Sequence, residues 1–174
     1  TWKDCSLGEV RSRDLLQVVR GSLRLHGCSF TGGADQIKLA YTVATIERAD
    51  MRGASDDAVT VKGGKLDFSN GLVTATGGSA LVLDELATVI VEQCNLASEK
   101  DALEVSEGAT INVDGGRITS AKGAVLDVNA LHARHGPSRV TITGVNLHAK
   151  ESPKIGRGNE VSVNGEQTQA AKQP

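Results

Sequence analysis

Aromatic side chains are nearly absent: Trp2, Phe30, Tyr41 and Phe68 are the only four in 174 residues. So few rings leave little on which nucleobases or sugars could stack. A surplus of positive charge is missing too, because 19 Lys and Arg face 21 Asp and Glu, a net charge of −2. A chain this balanced is poorly equipped to hold a phosphate backbone, and nucleic acid is excluded as its main partner. The uncharged stretch from Asn70 to Leu83 is broken by Gly and Thr, so no membrane insertion is expected. Three cysteines (Cys5, Cys28, Cys94) are an odd number and too few for a disulfide scaffold. The chain opens at Thr1 with no Met and no apolar leader, which reads as a fragment or a processed domain.

Glycine, in contrast, is plentiful: 20 residues, scattered against three prolines. That spacing announces many short elements joined by tight turns, and the elements repeat. Arg13-Asp14-Leu15-Leu16 aligns with Ala34-Asp35-Gln36-Ile37, Asp56-Asp57-Ala58-Val59, Gly78-Ser79-Ala80-Leu81, Lys100-Asp101-Ala102-Leu103 and Lys122-Gly123-Ala124-Val125. The lead position falls at 14, 35, 57, 79, 101 and 123, in steps of 21 and then 22. A second apolar pair keeps the beat from Leu23/Leu25 through Leu66/Phe68 to Val161/Val163. A third motif, small-x-apolar, follows it in Cys28-x-Phe30, Ala49-x-Met51, Gly71-x-Val73, Cys94-x-Leu96, Gly116-x-Ile118 and Val145-x-Leu147.

Each repeat thus holds three alternating segments, the period-2 mark of half-buried strands. The same position recurs rather than being mirrored across a turn, which excludes hairpins. Each strand must lie parallel to its copy one coil later, at a spacing of roughly 4.8 Å. Aliphatic columns then fill a narrow prism with little room for rings, which accounts for the missing aromatics.

The pattern resembles the right-handed parallel β-helix of the pectate-lyase-like superfamily over residues 5 to 165. Asp57-Ala58-Val59-Thr60-Val61 and Asp101-Ala102-Leu103-Glu104-Val105, each ahead of a glycine-bearing turn, carry the likeness. The expected fold is all-β: one single-stranded, right-handed parallel β-helix of about seven coils of 21–23 residues. It occupies residues 1–165, with a disordered tail at 166–174. The superfamily spans lyases, hydrolases, epimerases, phage tailspikes and non-catalytic surface modules, so the likeness speaks to fold and leaves function to the side chains.

Asp56-Asp57 resembles the paired aspartates of the polygalacturonase family, in which the pair works on a glycosidic bond. That chemistry needs opposed carboxylates about 5 to 9.5 Å apart. The companion motifs appear only as Asn112-Val113-Asp114, Arg117-Ile118-Thr119 and Arg134-His135-Gly136, out of order and without the lysine. Asp57 also shares its slot with Asp14, Asp35 and Asp101, which favours a turn carboxylate capping backbone amides. On the first strand column the outward positions read Gln17, Lys38, Thr60, Val82, Glu104 and Leu126. Lys38 and Glu104 are three coils, about 14 Å, apart and cannot act together. Lys62 and Asp84, one coil apart, read as a surface ion pair.

His132-x-x-His135 with His148 could offer three nitrogens to zinc, yet Arg134 and Arg139 stand beside them and no further ligand does. His26 follows an inward Leu25 and faces outward. No metal and no cofactor are expected. The cysteines occupy the small slot of the third motif and are expected as three buried free thiols, with Cys5 and Cys28 within bridging reach.

The rhythm breaks once. Other coils pass from first to second strand in 7 or 8 residues, but Val125 to Val140 takes 15. The excess, residues 129–139, is pushed out of the rod, where solenoids place recognition. In that coil Leu126/Val128 fits the inward slots as well as Val125/Asp127. The loop and the turn after it supply His132, Arg134, His135, Arg139, Lys150, Lys154 and Arg157 as a candidate binding set. Ala58, Ala80, Ala102 and Ala124 suggest a smooth face elsewhere. The expected function is a non-enzymatic structural or interaction module, extracellular or in the cell envelope. It would take an anionic glycan or acidic protein surface and could self-associate through the solenoid ends. The alternative is a polysaccharide lyase or glycoside hydrolase acting through Asp56 and Asp57.

Overall fold

A computed structural model describes residues 1–8, 13–129 and 134–168. Every inward side chain sits on its counterpart one coil away. On the first face the ladder runs Leu16, Ile37, Val59, Leu81, Leu103, Leu126. On the second it runs Leu23, Ala44, Leu66, Val89, Ile111, Val140, Val161. On the third it runs Leu7, Phe30, Met51, Val73, Leu96, Ile118, Leu147. These pairings are parallel, and the chain is a β-solenoid of about 7 turns, with no helix among the described residues. The first two faces join into one 14-stranded sheet, because Ile37–Glu47 and Val59–Ser69 each run unbroken through the corner between them. The third face is a separate 7-stranded sheet.

The corners are built by left-handed residues. Between the first and second faces they include Arg20, Tyr41, Gly63, Glu85 and Glu107; between the second and third, Asp4, Gly27, Arg48, Asn70, Gln93 and Gly115. Each bulky residue held there costs about 1–2 kcal/mol. The buried ladders offset this, since a fully buried Val, Leu or Ile contributes about 1.5–3 kcal/mol. Phe30, Phe68 and the large aliphatics fill the interior. The small column beside the second corner has a steric cause. A Cβ on Gly71 would stand 2.3 Å from Cε2 of Phe68, whose ring reaches beneath the corner.

Several expectations are corrected here. In the coil with the loop, Leu126 and Val128 take the inward slots, so Asp127 and not Leu126 faces outward, over Glu104. Ala58, Ala80, Ala102 and Ala124 are fully buried and form no outer face. Cys28 and Cys94 are buried, whereas Cys5 is only half-buried at the first coil. Glu166–Thr168, expected in the disordered tail, pairs antiparallel with Glu160–Val163 and closes the edge of the second face.

Candidate functional site

The described ends of the inserted segment, Asn129 and residues 134–138, lie at the corner between the first and second faces, between Leu126–Val128 and Arg139–Thr143. Its two feet are stitched together by one side chain. Asn159 donates through Nδ2 to the Asn129 carbonyl at 2.6 Å and accepts the Ser138 amide at 2.9 Å. Asn129 in turn donates to Glu104 at 3.3 Å. His135 lies against the previous coil, with Nδ1 3.2 Å from Glu107 Oε2. Its carbonyl occupies space that only a glycine leaves, because a Cβ on Gly108 would stand 2.5 Å from it.

Up the same corner, Asp84, Glu85 and Glu107 bring carboxylate oxygens within 4.8 Å of one another. Three such acids could offer oxygens to a hard cation, but each is engaged within the protein. Lys62 reaches Glu85 at 2.8 Å, and Tyr41 donates its hydroxyl to the other Glu85 oxygen. Lys62, then Tyr41, hold the Glu85 carboxyl below the usual range. Asp84 accepts from Ser106 at 2.9 Å and from the Glu85 amide at 2.9 Å. The expected pairing of Lys62 with Asp84 is therefore corrected: the ion pair is with Glu85, the next residue along, because the left-handed corner turns that side chain back over the coil above. Tyr41, Val43 and Leu86, each more than half exposed, add an apolar edge beside this network.

The predicted basic set is not gathered into one surface. His132 lies outside the described residues. Arg134 and Arg157 are exposed, and Lys150 lies on the third face beside His148. Arg139 pairs with Glu160 at 2.9 Å on the second face. Lys154 pairs with Asp101 at 3.0 Å and Glu151 at 3.3 Å. Outward-facing His26 meets Glu47 at 3.1 Å on the next coil. The cations are thus spread around the rod, and several stand on acids of neighbouring coils.

The aspartate column does what a turn carboxylate should. Asp57 accepts the Ser79 amide at 2.7 Å, and Asp101 accepts the Ala124 amide at 2.7 Å, each capping the following coil. Burial above all raises the Asp57 carboxyl, with Asp56, Asp35 and Glu104 adding to it and the Ser79 amide opposing. Asp56 beside it is exposed. Lys38 bridges Asp14 and Asp35, both at 3.2 Å. Burial acts to lower its ammonium, but the hydrogen bonds to those two acids outweigh it and the net shift is upward. Lys62 and Lys154 move the same way through Glu85 and Asp101. A lysine serving as a base needs the opposite shift.

The corner residues Tyr41, Glu85 and Glu107 escaped the sequence reading, although 41, 63, 85 and 107 keep the 22-residue step. No protein-family model matches the chain, and neither the curated proteins nor the solved structures include a significant match.

Proposed function

We propose that the chain is a non-catalytic structural and interaction module, built as a pectate-lyase-like β-helix, that presents its recognition surface at the corner where the loop emerges. The observation that carries this reading is where the chemical side chains go. Asp57 and Asp101 cap the next coil. Lys38, Lys62 and Lys154 are held by acids in the protonated form. The loop, in contrast, is anchored at its feet and displays Arg134 at the surface. Exposed Arg134 on the loop would favour an anionic partner, a glycan or an acidic protein surface.

One observation favours the second reading, a carbohydrate-active enzyme: burial raises the Asp57 carboxyl, as a general acid requires. A single assay separates them. The protein is incubated with polygalacturonate and alginate, with and without Ca²⁺, and unsaturated and reducing ends are measured. The module reading expects no release above the blank. Turnover that disappears in Asp57→Asn, with the fold intact by circular dichroism, overturns it.

A further inference from the structure

Cys5 and Cys28 occupy the same corner position in successive coils. The residues after them, Ser6 and Ser29, are register partners, and the Ser29 amide donates to the Cys5 carbonyl at 2.8 Å. Neighbouring parallel strands are roughly 4.8 Å apart, within the Cα separation of about 4.4–6.8 Å that a disulfide accepts. Asp4 and Gly27, just before the two cysteines, are both left-handed, so the pair sits at a bend rather than in a rigid strand. Cys5 is half-buried at the first coil and reachable from solvent, whereas Cys28 is buried beneath it. Cys94 differs in its partners. It is buried, accepts the Gly71 amide at 3.3 Å, and has Gly71 and Gly116 in the matching slots of adjacent coils.

We propose that Cys5 and Cys28 form a redox-closable clasp, a modification site at which a small disulfide oxidant links the two thiols and fixes residues 2–8 to the coil beneath. The Cys5 thiolate attacks one sulfur of the oxidant and expels one thiolate, leaving a mixed disulfide on Cys5. The Cys28 thiolate then attacks the Cys5 sulfur, expels the second oxidant thiolate and closes the bridge. Two protein thiols are oxidised, the oxidant is reduced to two thiols, and the protons pass to the released thiolates. Burial, then the neighbouring Cys28 thiol, push the Cys5 thiol up to about 11. The first attack therefore follows a small thiolate fraction that grows about tenfold per pH unit below that value.

The native protein is treated with oxidised glutathione at neutral and at mildly alkaline pH, then alkylated, digested and mapped without reduction. The clasp expects a linked Cys5–Cys28 peptide, faster at the higher pH, with Cys94 alkylated only after denaturation. Amide exchange across Ser6–Gly8 should slow by roughly tenfold or more in the oxidised form, and Cys5→Ser should remove both effects. A product that stops at glutathione on Cys5, a bridge that includes Cys94, or a Cys5–Cys28 link that forms only in denaturant would overturn the proposal.

Discussion

Asn159 accepts the amide hydrogen of Ser138 at 2.9 Å, across a sequence separation of 21 residues. Ser138 is buried, so this amide has no recourse to water once the partner is removed. Asn159→Ala should therefore cost about 1–3 kcal/mol, read as a lowered Tm and faster exchange at Ser138. Asn159→Asp keeps the acceptor for Ser138 but loses the donor to Asn129, and should cost less. Equal losses in the two variants would show that the stitch to Ser138 is not what holds the loop's feet.

Gly64 and Gly53 share a left-handed backbone but differ in what surrounds them. A Cβ on Gly64 would stand 2.3 Å from the Thr42 carbonyl oxygen and 2.6 Å from its nitrogen, backbone atoms of the coil above. Around Gly53 nothing lies within 4 Å. Gly53→Ala should cost only the left-handed conformation, about 1–2 kcal/mol. Gly64→Ala must in addition separate two paired strands and should cost upwards of about 4 kcal/mol. Chemical denaturation of the two variants side by side tests the difference.

How much of this was legible in the sequence follows from the kind of force involved. The ladders through Ile37, Leu66 and Phe30 were readable because burial acts on every second residue and leaves a period. The break at residues 129–139 was readable because it interrupts that period. The partners of polar side chains were not, since they depend on how far a corner turns. The register places Lys62 beside Asp84, while the left-handed corner delivers Glu85 to it instead. The basic set looked like a patch because its members are close in sequence, yet a solenoid distributes such neighbours over three faces, as Arg139 on the second and Lys150 on the third show. The left-handed column at 41, 63, 85 and 107 carried a signal, a Gly or polar residue after each first strand, which Tyr41 obscured.

Gly71 and Phe68 should be coupled. The Phe68 ring fills the space in which a Gly71 side chain would sit, so Gly71→Ala should cost about 3 kcal/mol or more by overpacking. Phe68→Leu alone should cost roughly 1–2 kcal/mol. The double variant should be more stable than the sum of the two losses predicts, by an interaction of about 1 kcal/mol or more. Strict additivity in denaturation midpoints would show that the small column has another cause.

Asp127 should weaken the fold when it is ionised. Burial above all, then Asp101 and Glu104, raise its carboxyl above the usual range, and Lys154 only partly opposes them. A carboxyl whose folded pKa is raised binds its proton more tightly in the folded chain than in the unfolded one. Its contribution is most favourable below the unfolded value of about 3.9, and stability is lost as pH rises from there through the folded pKa. Above that window the ionised group is a standing cost. Asp127→Asn removes the charge without changing the shape, so at neutral pH the variant should melt at a higher temperature than the parent. As pH falls through the carboxylate range the parent becomes neutral at this position too, and the advantage should shrink. Asp57 is raised in the same direction, but its oxygen caps the Ser79 amide, so Asp57→Ala should destabilise at neutral pH while Asp57→Asn retains the acceptor. Melting curves of the parent and three variants across the acid range check both halves of the argument. An Asp127→Asn protein that melts below the parent at neutral pH would show that Lys154, and not burial, dominates this part of the first face.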